Sequence, residues 1–588
     1  MMDAHVPYSQ RKPPGRMAGE IRWWGRQLGL AGLSILLLTG AFAPVSQFYL
    51  AWFGLVPWLM ALRECRSIRS AFLLSWIAGT VFFTANMWWM GFISVPGWLA
   101  LMIYCGTYWA AAGLLVHRMK LFEPGGRSAL VSIFLFAAIW TTLEWFRSYV
   151  ITGLPWLYLG HTQTPLLAMC QIADTLGAYG VSFAVAAVNA AVFMALIVRP
   201  MRRIAPAAIV VGSMVVLFVV YGVFRIEQTA TEPGPLVVVV QANEPQSNTG
   251  LKGASDRDRI DFHITSTKNA LAAMPLGSVD LVAWSETMIP PINQATLDAM
   301  VPFRGRSTVA DDRFYARQEI ANLAAAQHVG ILTGSLYAGQ WTQTDLGTES
   351  LERRNTALFF HRDGSMLDGV GQRYDKIHLV PFGEFVPFRQ SAPWLYDLLL
   401  NMGPPDMKDY ELADGSDNGP TVFQLSQPEA GKPPWRFVTP ICFEDLDSRL
   451  VARMMRPAPG ETDKRADFLV NITNDGWFKA NENSQHLQAA IFRSIENRVP
   501  TARSVNTGIS GFVDSVGHVS GALTPRTGGT SAARLMLDGR VTFYTRHGDL
   551  FAAVCTVIAT AETARAAAGA WRRRRRDRGR SGKSSESS

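Results

Sequence analysis

Hydrophobic and polar positions divide the chain into two unlike parts. Long uncharged apolar runs dominate the first 225 residues, and from there to about residue 545 short β-rich runs alternate with amphipathic ones. Between Arg69 and His117 there is no charged residue. A bilayer crossing needs ~20 predominantly apolar residues. That stretch therefore holds two, "AFLLSWIAGTVFFTANMWWMGFI" and "GWLALMIYCGTYWAAAGLLV". Further candidate spans lie at 28–44, 47–62, 128–146, 178–198 and 204–224, making seven. One such run fits a buried core helix, but seven in succession do not. Nor is the first a cleavable signal peptide, because no polar domain follows it.

In the second part, strands are expected at 236–243, 280–286, 330–338, 356–364, 435–442, 467–475 and 502–517. Helices are expected between them at 257–274, 313–329 and 484–498. Strands alternating with helices predict a layered α/β domain. The connection 385–434 is rich in Pro and Gly and holds "SAPWLYDLLLNMG". That cluster reads equally as ordinary core or as an arm that dips into lipid headgroups.

Charge orients the chain. Arg11, Lys12, Arg16, Arg22 and Arg26 precede the first span, and "RECRSIRS", "HRMKLFEPGGR" and "RPMRR" follow the second, fourth and sixth. The intervening connections "APVSQ", "SVPG" and "ITGLPW" are nearly free of Lys and Arg. Basic residues on alternate loops put the N-terminus in the cytoplasm and the α/β domain outside. A returning eighth segment is expected at Asp549–Trp571; Glu562 and Arg565 interrupt it, so an interfacial helix is the alternative. The basic run "WRRRRRDRGR" suits an anionic cytoplasmic leaflet better than a nucleic acid. The resulting plan is a tail (1–26), a seven-span domain (27–225), an exported domain (226–548), the eighth segment (549–571) and a basic disordered tail (572–588). The formal net charge of +8 thus reflects topology.

Candidate chemistry centres on "FVTPICFEDL". Of the five cysteines only Cys442 falls in the exported domain, which leaves no intradomain disulfide and no Cys-based metal cluster. It is either an inert core thiol or a nucleophile. A cysteine where an apolar strand runs into a helical turn can present its sulfur, with the next backbone N–H aimed at a developing oxyanion. The acids Glu444 and Asp445 that follow also suit any helix start. Glu286 in "WSET" and Lys376 and Glu384 in "YDKIHLVPFGEFVPF" would singly pass for solvated surface residues.

Together, "AWSET", "YDKIHLVPFGEFVPF", "PICFED" and "NDGWF" resemble the Glu-Lys-Cys motifs of the nitrilase superfamily. With the apolar spans and "EWFRSYVITGLPWLYLGHTQ" (144–163), the chain is similar to the apolipoprotein N-acyltransferases, the membrane-embedded branch of that superfamily. The resemblance covers nearly everything from the first span to about residue 552, including "VVQANEPQ" (239–246). It implies a polytopic α-helical membrane domain plus an α/β nitrilase-like αββα sandwich in a bacterial inner membrane, acting as a monomer. It further implies transfer of a fatty acyl chain from a membrane phospholipid to a diacylglyceryl apolipoprotein, with no metal or organic cofactor.

By the same resemblance Glu286 is the general base, Cys442 the nucleophile, and Lys376 with the N–H of Phe443 the oxyanion stabiliser. Glu384 would tune the lysine and the incoming amine. Phe443, where tyrosine is common, and Glu444 would concern the second substrate, and Trp156 the membrane entrance. Glu144 and Arg147 are expected either to pair with each other or to have a functional role in the membrane. "NDGWFKANENSQH" departs from the pattern by its length and polarity, and its His486 is expected to be a loop or core residue. The competing readings are a membrane-tethered amidase that uses water as acceptor and a non-catalytic lipoprotein-binding scaffold.

The orientation predicts that a reporter active only outside the cytoplasm is active when fused near Met300. Activity of a cytoplasm-only reporter at that point would overturn the topology.

Overall fold

A computed structural model describes residues 14–123, 127–228, 230–245, 254–344, 347–402, 411–427, 429, 431–478 and 482–584. Arg11 and Lys12, the end of "VVQANEPQ", part of the 385–434 connection, residues 479–481 and the last four residues lie outside these.

Among the described residues six helices are long and apolar enough to cross a membrane: Ile68–Asn86, Val95–Arg118, Ala129–Arg147, Ala178–Ile197, Ala205–Glu227 and Leu550–Gly569. Before them, a 28-residue helix runs Pro14–Ala41. The stretch 47–62 is not one helix but a 3-10 turn, Phe48–Trp52, and a short helix, Val56–Arg63. Gly54 and Pro57 account for the break. Pro57 starts a helix and cannot continue one, and a Cβ on Gly54 would stand 2.6 Å from a methyl of Leu38, so glycine lets the segment fold onto the first helix. The last helix runs on past Trp571 to Ser584.

Among the described residues the α/β domain has twelve strands: β1 (Thr231–Gln241), β2 (Leu281–Trp284), β3 (Gly330–Thr344), β4 (Gly347–Phe360), β5 (Tyr374–Asp375), β6 (Phe423–Leu425), β7 (Trp435–Val438), β8 (Phe468–Thr473), β9 (Thr501–Val505), β10 (Gly511–Val513), β11 (Val519–Ser520) and β12 (Gly529–Asp538). They form two six-stranded sheets, ordered β12-β1-β2-β3-β4-β5 and β11-β10-β9-β8-β7-β6. Three parallel strands lie within each sheet, β1-β2-β3 in one and β7-β8-β9 in the other, flanked by antiparallel neighbours.

The inner faces pack Val237, Val239, Leu332 and Phe359 against Phe437, Phe468, Val470 and Phe512. Phe423, Phe437 and Phe468 stack across three neighbouring strands at 5.1 and 5.2 Å. Helices Asp256–Ala272 and Thr308–Gln327 cover the outer face of the first sheet through Ile260, Ile264, Ile320 and Leu323. Helix Glu482–Asn497 presents Ile491, Phe492 and Ile495 to Tyr158, Ala178 and Val181 of the apolar domain. The outcome is the αββα sandwich that the motifs implied, set on a bundle of apolar helices.

Two expectations change. The run 502–517 is two antiparallel strands, β9 and β10, because Ser510 bonds back to both the N–H and the carbonyl of Val505 and folds the chain. The Trp-Leu-Tyr cluster forms a helix, Pro393–Met402, whose Trp394 is 72% exposed, so it is not core.

Candidate active site

Cys442 stands just beyond β7, where Ile441 bridges Ile472 of β8 and the chain turns into a 3-10 helix, Cys442–Leu446. Its φ is +54°, in the left-handed region. For a non-glycine residue this costs on the order of 1 kcal/mol, which the surroundings must repay. Glu444 repays it. Fully buried, it accepts from the Tyr374 hydroxyl (2.9 Å to each oxygen) and from the backbone N–H groups of Ile377 (2.7 Å), His378 (2.9 Å) and Ile441 (2.8 Å). One carboxyl thus ties the cysteine turn to the segment that carries Lys376. Burial raises that carboxyl to about 7, although its donors favour the charged form.

Lys376 follows β5, and its buried ammonium lies 3.3 Å from Glu286 Oε1 and 3.0 Å from Glu384 Oε1. Asn355 of β4 donates from one amide nitrogen to both carboxylates, at 2.7 Å each. The Asn474 N–H, past β8, fixes Glu286 Oε2 at 2.8 Å, and the Val380 N–H fixes Glu384 Oε2 at 2.8 Å. Glu286 follows β2 at a point where β3 comes very close: a Cβ on Gly334 would stand 2.5 Å from the Glu286 Cα. Only glycine permits that approach.

Burial sets the protonation pattern. It raises the Glu286 carboxyl, with the Glu384 charge adding and Lys376 opposing; Glu286 is also a hydrogen-bond partner of Cys442. Burial, then the Glu286 charge, pushes the Cys442 thiol well above its ordinary range. Burial works against the Lys376 charge, but the two glutamates outweigh it and hold the ammonium charged. The resting cysteine is therefore a neutral thiol; Lys376 and the Asn355 donor favour the charged form of Glu286 against burial, and the lysine is a fixed cation at hand for a developing oxyanion.

Behind the turn lies a second charged group. His486 Nε2 is 2.7 Å from Asp445 Oδ1 and His486 Nδ1 is 3.4 Å from Asp475 Oδ1, while Arg503 also pairs with Asp445. Burial opposes charging of His486, yet the two aspartates raise it to about 9. On the other side Gln485 reaches the apolar domain. Its Oε1 accepts from the indole N–H of Trp89 (3.3 Å) and Trp156 (3.0 Å), and its amide donates to the carbonyls of Ala43 (3.3 Å) and Asn86 (3.1 Å).

Glu286, Lys376, Glu384, Cys442 and Glu444 are thus gathered at one turn. Phe443 lies beside it, its ring 5.3 Å from His378. Trp156 is buried and approaches from the apolar domain, 5.5 Å from the His486 ring. Glu144 and Arg147 do not pair with each other. Glu144 accepts from the Trp140 indole and the Leu159 N–H, and Arg147 is spent on the carbonyls of Leu154, Trp156 and Leu157. The Leu159 N–H and the three carbonyls belong to the segment after the helix, so both residues brace it there. Sequence reasoning missed Asn355, Gln485 and the charge on His486. Asn355 stands in a polar β-run with no motif around it, and the other two depend on partners more than 300 residues or about 40 residues away.

Comparison with known proteins now bears on this geometry. Residues 34–191 match the model of the apolipoprotein N-acyltransferase N-terminal domain, and residues 239–542 match the carbon-nitrogen hydrolase model. The apolipoprotein N-acyltransferase of Geobacter metallireducens is 30% identical over 550 residues, covering 90% of this chain and 92% of that one. The chain belongs to the apolipoprotein N-acyltransferase family. Further relatives of the same name, from Caulobacter vibrioides and Chlorobaculum tepidum, are each 28% identical over 90% of the chain and cover 92% and 94% of their own lengths. A solved amidase from Nesterenkonia sp. aligns with 15% identity and a TM-score of 0.34 over 54% of this chain and 95% of its own, and the assignment takes nothing from it. The chain is accordingly an acyltransferase with apolar helices of membrane-spanning length.

His486 generates a pH prediction. Its folded value of about 9 exceeds the ordinary 6.5, so its stabilisation is complete below 6.5 and is lost as pH rises through about 9. The loss is on the order of 3 kcal/mol. The unfolding midpoint should fall across that window in the wild type, and the slope should flatten in His486→Gln. A wild-type midpoint that does not change between those values would contradict the charged bridge.

Proposed function

We propose that this N-acyltransferase carries a fatty acyl chain from a membrane phospholipid to the α-amine of a diacylglyceryl-cysteine at an apolipoprotein N-terminus, through a thioester on Cys442. The observation that supports it best is the Lys376 ammonium held between Glu286 and Glu384 beside a neutral thiol on a strained turn. In the first half reaction Glu286 takes the thiol proton as Sγ attacks the acyl ester carbonyl. Lys376 Nζ and the Phe443 N–H receive the oxyanion. Collapse expels the lysophospholipid alkoxide, which takes the proton back from Glu286. In the second half the neutral amine attacks the thioester, Glu286 accepts its proton, and the Cys442 sulfur leaves and is reprotonated.

Glu384 and Asn355 hold Lys376 and Glu286 in place. Glu444, with every hydrogen bond spent on the turn, acts by positioning and not by touching substrate. Phe443 and Trp156 line the side from which the second substrate comes. We place the chain in a bacterial inner membrane as a multi-pass protein. Both termini are cytoplasmic, seven crossings precede the catalytic domain, the second made by the broken pair Phe48–Trp52 and Val56–Arg63, that domain is periplasmic, and the last apolar helix returns the chain. The alternating basic loops support this orientation.

The test mixes the purified protein with phosphatidylethanolamine vesicles and a synthetic diacylglyceryl-cysteinyl peptide. N-acylated peptide and lysophospholipid should form in equal amounts with ping-pong kinetics, and Lys376→Met should lower the rate by ~10²–10³. Release of free fatty acid with the peptide unchanged would overturn the proposal.

A further inference from the structure

Helix Ser448–Met455 follows the cysteine turn directly, and Asp447 both ends that turn and caps the helix by accepting from the N–H groups of Arg449 and Leu450 at 3.0 Å. Leu450, Val451, Met454 and Met455 are buried, whereas Arg449, Arg453 and Arg456 are exposed. Their spacing of four and then three residues puts the three guanidinium groups on one face of the helix and its end.

The two ends of this stripe touch the ends of two apolar helices. The Arg449 guanidinium lies 4.8 Å over the ring of Tyr149, two residues past helix Ala129–Arg147. Arg456 donates to the Thr545 carbonyl at 3.2 Å and lies 3.6 Å from where a Gly548 Cβ would be, two residues before the final helix. Tyr149 and Asp549 bond each other at 2.5 Å, which fixes both helix ends at one level. Exposed Val150, Ile151, Phe543 and Leu550 adjoin that level. The stripe therefore lies where an apolar surface gives way to a polar one.

The stripe has no internal counter-charge. Asp447 is engaged by His378 at 3.0 Å, and Asp549 by Trp145, Tyr149 and Tyr544. Among the described residues no ion pair involves Arg449, Arg453 or Arg456, whereas Arg354, Arg373, Arg436 and Arg503 of the same domain are all paired. On the orientation proposed above, this cationic face is on the outer side.

We propose that Arg449, Arg453 and Arg456 form a binding stripe for the phosphate groups of anionic phospholipids at the outer bilayer surface, beside the turn that carries Cys442. The proposal rests on the proposed topology but not on the transfer chemistry. The stripe concentrates lipid next to the thiol, and because its helix is continuous with the cysteine turn, bound headgroups are held at a fixed offset from the sulfur.

The test uses full-length Cys442→Ala protein, so that acyl transfer cannot consume the lipid. Native mass spectrometry after release from mixed phosphatidylglycerol/phosphatidylcholine nanodiscs counts the retained lipids by class. Phosphatidylglycerol should be preferred, and the preference should fall by about tenfold in R449Q/R453Q. It should persist in R449K/R453K, which separates charge from loss of fold, and it should weaken in high salt. An unchanged preference in R449Q/R453Q would overturn the stripe. So would full competition by millimolar glycerol phosphate, which would mark a soluble-anion site. Failure of acyl transfer with wild-type protein would leave this result standing, and the reverse also holds.

Discussion

The first turn of helix Glu482–Asn497 is the joint on which the rest of the structure depends. Two successive residues there face opposite ways. Gln485 gathers Ala43, Asn86, Trp89 and Trp156 from the apolar domain, and His486 bridges Asp445 and Asp475 behind the cysteine turn. The sandwich is therefore not a soluble enzyme on a leash. Cys442 is fixed relative to the helices through one turn, in which Gln485 is bonded to the apolar domain and His486 to the aspartates behind the cysteine. Buried hydrogen bonds to charged groups are worth ~1.5–3 kcal/mol each and have strict geometry, so the joint confers position as well as stability.

The same logic governs the charges inside. Glu286 and Glu384 would repel each other in a buried site if Lys376 were not between them, and Lys376 would lose its proton to burial without the two carboxylates. Asn355 adds a neutral donor to both acids and keeps their spacing. The arrangement is self-consistent only as a set, so single substitutions should act on all three groups together. Burial, with the Glu286 charge, keeps Cys442 a thiol, and on the proposed mechanism Glu286 takes its proton only as the sulfur attacks.

Much of this was legible in the sequence, for physical reasons. The motifs around Glu286, Lys376, Glu384 and Cys442 lie at strand ends, where the local pattern of apolar run followed by polar residues survives as a short readable string. The apolar runs were legible because length alone separates them from core helices. Strand β12 was missed because only two of its ten residues are buried and its small and polar residues carry little strand signal. The break in 47–62 turned on Gly54 packing against Leu38, a contact between segments. His486 read as an ordinary loop or core histidine because its charge comes from two aspartates on other elements. Glu144 and Arg147 were open to a mutual pair or a functional role, and the backbone that follows their helix bonds to both. Each miss is a property of tertiary neighbours and not of the local string.

The central claim is that Cys442 carries the acyl group, and the mass of the intact protein tests it most directly. After incubation with phosphatidylethanolamine and no acceptor, the wild type should gain the mass of one acyl chain on Cys442. Hydroxylamine at neutral pH should remove it, and Cys442→Ala and Glu286→Gln should lack it. Lysophospholipid formation without an adduct on Cys442, or an adduct that survives in Cys442→Ala, would contradict the account.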